Sequence, residues 1–287
     1  MQMFFKFFRH DLEYGIGHAK KRLILTFIGF FVLSIYHFWK IKIYEINSPS
    51  FFNTPVSTAD YFLALIGGCG KVTFTSGLDS DFSMPTMWFM FILWMQFVSL
   101  YYPFNELGGI GKHLMVLSGG RGIWWLSKCA WTAVNTIVSY LLIFLSSTLC
   151  GLCFGAKLSM NASWYLYKEL AMNQDDITTS VSWNITSVFL FIGFVLVALA
   201  LLQLLLSLLI KPLFSYFLLT GYFFTGAYFQ CPALFSNYAM PARNALLITT
   251  GLDMTSGVVI GLWISALSVI IGYYVFKNRD ILDSDMT

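Results

Sequence analysis

Proton-moving and nucleophilic side chains are sparse in this chain, and they are poorly placed for catalysis. There are 14 Asp and Glu residues and 4 His among 287 residues. Acid–base chemistry needs such groups brought together. Here every carboxylate falls in a connection between apolar runs and none within a run. His10, His18 and His113 sit in basic connections, and His37 at the far end of the first run. No two His have metal-ligand spacing, and neither an H-E-x-x-H pair nor a G-x-S-x-G turn occurs. The pattern argues against an intramembrane protease or lipid enzyme, and predicts no catalytic residue and no metal. The stretch Gly70-Lys71-Val72-Thr73 glances at a phosphate loop and fails: the first Gly would fall at Leu65, and Val72 stands where Ser or Thr is needed. Of five cysteines (Cys69, Cys129, Cys150, Cys153 and Cys231), three or four fall near one face, enough for one disulfide. Small buried helix residues are the favoured reading of all five.

The elements that carry these residues are apolar. The chain is 57% hydrophobic and 11% charged, against about a quarter charged in soluble domains. Lipid must be its solvent. Six runs are long enough to cross a hydrocarbon core roughly 30 Å thick: 22–39, 85–102, 129–151, 183–210, 212–229 and 256–276. Backbone groups in lipid must be satisfied within the segment, so these runs should be helices. The expected fold is an all-α integral membrane protein with six transmembrane helices. The weaker alternating pattern of a membrane β-barrel is absent.

Orientation follows from Lys and Arg in the connections. With the N-terminus inside, the inner segments hold Lys6, Arg9, Lys20, Lys21, Arg22, Lys112, Arg121, Lys128, Lys211, Lys277 and Arg279. The outer ones hold only Lys40, Lys42, Lys71, Lys157, Lys168 and Arg243. The expectation is a multi-pass cell-membrane protein with both termini cytoplasmic. The net charge of +3 follows from this bias and gives no ground for a nucleic-acid partner. The first run has the basic flank of a signal sequence without a small-residue cleavage site, and so reads as a retained anchor.

In residues 1–22, Phe4, Phe5, Phe8, Leu12 and Ile16 recur at helical spacing, with Lys6, Arg9, Asp11 and Glu13 on other faces. This predicts an amphipathic helix in the inner interface, touching membrane lipids, followed by a six-helix domain over 23–287. In the outer connection 40–84, the run 60–66 (DYFLALI) predicts a short helix on or dipping into the membrane. Residues 230–255, apolar but interrupted by Pro232 and Pro241, predict one or two short re-entrant helices before the sixth span. Lys211-Pro212 predicts a tight inner turn. Asn161-Ala162-Ser163 and Asn184-Ile185-Thr186 match glycosylation acceptors, a pattern frequent by chance.

Residues 103–128 form the one long basic interruption with a helical pattern of its own. Leu107, Ile110, Leu114 and Leu117 recur at threes and fours, Gly119, Gly120 and Gly122 break the pattern, and Trp124 and Trp125 follow as an interfacial anchor, with Arg121 before them and Lys128 snorkelling beside them. Leu117-Ser118-Gly119-Gly120-Arg121 looks like the signature sequence of ABC ATPases, but that sequence works only inside a large ATPase domain with a phosphate loop, and none is present. Ion-coupled carriage uses charges at membrane depth. The spans offer only Gln96, Asn135, Gln203 and hydroxyls, so transport energy would come from elsewhere.

Taken in order, the basic cluster Lys20-Lys21-Arg22, the six spans, the inner loop ending Trp124-Trp125-Leu126-Ser127-Lys128, the outer Asn237-Tyr238-Ala239-Met240 with Arg243, and the terminal Phe276-Lys277-Asn278-Arg279-Asp280 resemble the permease subunit of ABC transporters of the ABC-2 type. The similarity is greatest to bacterial permeases of bacteriocin, lantibiotic or peptide export and immunity systems. The resemblance implies an exporter subunit that is not itself an enzyme and binds no cofactor. Two ABC ATPase subunits would hold ATP and magnesium, and a second permease, identical or related, would complete the assembly. It implies a coupling helix between the second and third spans over about 105–117, with Asn105, Glu106, Leu107, Ile110, Lys112, His113 and Leu114 meeting the ATPase. It also implies a path for a hydrophobic or amphipathic substrate, a peptide or antimicrobial, lined by Phe89, Trp94, Phe97, Phe223 and Phe224. The competing readings are a non-transporting immunity or scaffold protein that binds a peptide, and a secondary carrier or channel.

Overall fold

The computed structural model describes residues 2–47, 56–70, 84–107, 121–163, 182–248 and 250–278. Its helices are α1 (Gln2–Asn47), α2 (Thr58–Ile66), α3 (Thr86–Ser99), α4 (Tyr102–Leu107), α5 (Arg121–Cys153), α6 (Thr186–Ile210), α7 (Pro212–Tyr228) and α8 (Met254–Asn278). A two-stranded antiparallel ribbon, β1 (Asn161–Ser163) with β2 (Ser182–Asn184), precedes α6, and two 3-10 helices, Phe235–Ala239 and Pro241–Arg243, lie between α7 and α8.

The chain is an all-α membrane protein by length and composition. Five helical stretches are long and apolar enough to cross a bilayer: Ala19–Ile43, Thr86–Asn105, Arg121–Cys153, Thr186–Ile210 and Met254–Asn278. The expected fifth span, 212–229, is α7, and it has only 17 residues. At about 1.5 Å per residue it covers roughly 25 Å, short of a core of roughly 30 Å. The other departure is at the N-terminus. The interfacial helix expected over 1–22 is continuous with the first span, since α1 runs unbroken for 46 residues.

Contacts fix the helix directions. Ser127 and Lys128 of α5 bond to Asp11 of α1, and at the other end the Phe38 ring stacks on Phe154 at 3.8 Å. Both matches are 116 residues apart in sequence, Ser127 with Asp11 and Phe154 with Phe38. So α1 and α5 run parallel without slipping. Small and polar residues are buried along both helices: Gly15, Ala19, Thr26 and Ser34 on α1, Thr132, Ser139 and Ser146 on α5. Lipid is as apolar as Leu, so helices in it associate through small residues that let backbones approach. Meanwhile α3 runs antiparallel to α1, through Phe30 against Phe91, Trp94 against Thr26 and Arg22 against Val98. The same small-residue logic seats α8. Gly257 lies against Phe191 and Tyr238, Gly261 against Phe194 and Phe235, and Gly272 against the Trp125 ring, while Val259, Leu262, Trp263, Ile270 and Tyr274 point outward. Those contacts make α8 parallel to α6. The chain therefore returns through α7 and the 3-10 pair before α8 begins. One residue, Lys211 at φ 72°, separates α6 from α7, and Pro212 opens α7, where a missing N–H costs nothing.

The short elements pack inward. The short helix expected on or dipping into the membrane is α2, and all nine of its residues are buried by protein. Ser57 caps it with a capping box through Asp60. Its Phe62 joins Tyr140, Phe144 and Phe189 in an aromatic cluster with centroids 4.9 to 5.8 Å apart.

Candidate functional site

Two polar hubs stand at opposite ends of the bundle. One, called the inner hub after the end expected to face the cytoplasm, is built where α5 begins, and the other is called the outer hub. Trp124 and Trp125 stack on Phe276 of α8 at 4.8 and 6.1 Å, and the Trp125 indole donates to the Val269 carbonyl at 3.1 Å. Leu201, Leu204 and Leu208 of α6 complete the packing, with Phe7 of α1 and Phe104 of α4 against it. Inside this shell the Lys128 ammonium and the Ser127 hydroxyl both donate to the Asp11 carboxylate. Lys128 also sits 5.0 Å from the Trp124 ring centroid. Asp11 is 2% exposed and Lys128 1%. The expectation that Lys128 snorkels and the tryptophans anchor to headgroups is thereby corrected: all three side chains are buried within protein. Arg121 is exposed, as is Asn105 at the other margin of the segment. Glu106 and Leu107 end α4, while Ile110, Lys112, His113 and Leu114 lie outside the described residues.

Both flanks of segment 108–120 are thus tied into one shell: α4 through Phe104, and α5 through Trp124, Trp125 and the ion pair. Among the described residues, hydrogen bonds there join Asp11, Ser127 and Lys128 into one buried cluster. The arrangement can carry a displacement. A pull on the segment would load α1, α6 and α8 together.

The outer hub centres on Arg243, 1% exposed. Its Nε donates to the Cys69 carbonyl at 3.0 Å, and Nη2 to the Ala227 carbonyl at 2.6 Å and the Gly70 carbonyl at 3.3 Å. Its Nη1 reaches the carbonyls of Gly226 and Phe229 and the Asn237 side-chain oxygen. Three of these carbonyls end α7, so the guanidinium serves as the cation that a helix C-terminus favours. Asn237 braces the same turn, donating to Phe229 and Cys231. Burial pulls the Arg243 pKa down, with Cys69 opposing it. The Cys69 thiol is itself pushed up by burial, against the pull of Arg243. Nearby, Asp60 is 3% exposed and accepts from the Ser57 N–H and hydroxyl at 2.9 and 2.8 Å and the Ser163 N–H at 2.8 Å. Burial nevertheless raises its pKa to about 6, with those hydrogen bonds opposing.

The five aromatics assigned to a substrate path differ in exposure and in what they touch. Trp94 donates to the Thr26 hydroxyl at 2.8 Å, and Phe97 lies between Arg22, at 5.9 Å, and Tyr216. Phe89 is half-buried against the core. Phe223 is fully buried and Phe224 half exposed. Between the hubs, the side-chain amides of Gln96 and Gln203, with Asn135 Nδ2, are buried without a hydrogen-bond partner among the described residues. No group of three or more metal-ligating side chains occurs among them.

The Asp11 pair escapes sequence reasoning because its members are 117 residues apart and nothing local marks either. Arg243 and Asn237 carry a signal, since both belong to the resemblance. No family model, curated protein or solved structure matches the chain, so its own residues carry the reading that follows.

Proposed function

We propose that the chain is the membrane permease subunit of an ATP-driven exporter of the ABC-2 type. It crosses the membrane six times with both termini cytoplasmic, α7 making the fifth crossing with the help of the outer hub. Separate ATPase subunits dock on segment 108–120 and a second permease subunit completes the path. The cargo is hydrophobic or amphipathic, a peptide or antimicrobial.

One observation supports this reading above others. The segment is flanked on both sides by elements packed into the inner hub, and that hub joins it to α1, α6 and α8. A soluble partner shifts a membrane equilibrium only through contacts that differ between its states. A loop with rigid flanks conveys such a difference; a loosely tethered one dissipates it. The absence of carboxylates from the apolar runs fits a transporter whose energy comes from a partner.

The test is recovery of partners from native membranes in mild detergent with an ATP analogue, for wild type and for Glu106→Ala/Lys112→Ala. An ATPase that copurifies with the wild type and is depleted at least several-fold in the variant is the expected result. With no ATPase recovered, the proposal fails, and binding of a peptide by a non-transporting immunity or scaffold protein becomes the reading to measure.

A further inference from the structure

The last turn of α5 reads Cys150-Gly151-Leu152-Cys153. Both thiols are free; Cys150 is fully buried and Cys153 exposed. Residues three apart share one helix face, with Cβ atoms about 5–6 Å apart. A disulfide needs about 3.5–4.5 Å, so the turn must tighten by roughly 1–2 Å. It stands where a helix can yield. The Phe154 N–H is already shared between the carbonyls of Cys150 at 3.2 Å and Gly151 at 3.1 Å, and Gly155 at φ 82° ends the helix.

The surroundings give the pair something to control. Phe154 stacks on Phe38 of α1 at 3.8 Å, and Cys150 packs with Ile41 of α1 and Tyr61 of α2. A Cβ on Gly151 would lie 3.1 Å from the Tyr61 ring. This turn clasps α1, α2 and α5 at the end of the bundle opposite the ion pair.

We propose that Cys150 and Cys153 are a redox-active dithiol that exchanges with disulfides in the medium, independently of any transport role. The exposed Cys153 thiolate attacks a small disulfide RSSR, forming a mixed disulfide and releasing RSH. Cys150, as thiolate, then attacks Cys153 Sγ, breaks the mixed disulfide and expels the second RSH. The protein loses two thiol hydrogens and two electrons, and RSSR becomes two RSH. The rate follows the thiolate fraction and accessibility of the attacking sulfur, which makes Cys153 the attacking residue and Cys150 the resolving one.

The experiment uses the full chain in membranes with Cys69, Cys129 and Cys231 replaced by Ser, and 4,4′-dithiodipyridine as the disulfide. About two equivalents of thiopyridone should be released per chain with no adduct retained, because the second thiol expels the first adduct. With Cys150→Ser added, about one equivalent is released and the adduct stays on Cys153. Retention of adduct when both cysteines are present overturns the proposal, as does a Cys153 that does not react. Should the triple replacement fail to fold, wild-type chain treated with the same reagent and digested decides it: the peptide holding both cysteines must be found lighter by two hydrogens, and finding it unchanged or doubly modified refutes the exchange.

Discussion

Removing the carboxylate of Asp11 gives the sharpest test of how the inner hub is held. At 2% and 1% exposure, Asp11 and Lys128 are both out of reach of water, and Ser127 donates to the same carboxylate. Asp11→Ala strips that carboxylate from a buried ammonium. Breaking a buried pair from one side costs about 3–5 kcal/mol, roughly a 100- to 4,000-fold shift in the unfolding equilibrium at about 1.4 kcal/mol per tenfold. Lys128→Met alone should cost a similar amount, because it leaves the carboxylate buried with the Ser127 hydroxyl. The double variant Asp11→Ala/Lys128→Met removes both charges and should recover most of the loss, since apolar replacement of a buried pair is often near neutral. The assay is reversible unfolding of purified protein in mixed micelles, analysed as a double-mutant cycle. The reasoning is refuted if Asp11→Ala costs under about 1 kcal/mol, the range of exposed pairs, or if the two losses simply add.

Four further outcomes are expected. Arg243→Lys should destabilise nearly as much as Arg243→Ala, by several kcal/mol, because an ammonium with three donors cannot serve acceptors that a planar fork reaches together; thermal unfolding of the two variants checks this. Gly272→Ala places a Cβ 2.1 Å from the Trp125 ring and should cost about 1–3 kcal/mol by overpacking, with a change in tryptophan fluorescence. Gln203→Leu removes two buried polar atoms that lack partners and should stabilise by about 1–3 kcal/mol, read as a raised unfolding midpoint. For Asp60 the folded value, about 6, lies above the ordinary 3.8. The folded state holds the proton more tightly, so this contribution is full below pH 3.8, declines as pH rises from 3.8 to 6 and is level above. Hydrogen exchange in α2 against pH measures it, and Asp60→Asn should abolish the slope.

The long helices were legible because an apolar run of about 20 residues has few alternatives in lipid. So was the turn at Lys211-Pro212. Which face of each helix packs was not. In residues 1–22, periodicity marks Phe4, Phe5, Phe8 and Leu12 as the face for lipid, and Phe5 is exposed, but nothing in it marks the buried line through Asp11, Gly15 and Ala19. In α8 likewise the bulky side chains face out and the glycines face in. In lipid, apolar side chains gain little by facing inward and close approach decides, so apolar periodicity does not tell the packed face from the lipid face. The buried carboxylates Asp11 and Asp60 were misread for a related reason. Each lies in a connection by sequence, but partners at Lys128 and Ser163 enclose it. The outer hub was half visible: Arg243 and Asn237 stood out as a pattern, but the carbonyls they serve are backbone, which no side-chain pattern announces.

The parallel match of α1 with α5 has a consequence for how the chain is made. The residues that complete Asp11 are synthesised 116 and 117 positions after it. At about 5–20 residues per second, the ribosome needs roughly 6 to 23 s to supply them. Through that interval α1 is made and Asp11 has neither Ser127 nor Lys128 to pair with. The carboxylate must wait at the bilayer surface, in reach of water, until α5 inserts beside it. A helix made early is thus among the last to settle, and the bundle closes around it.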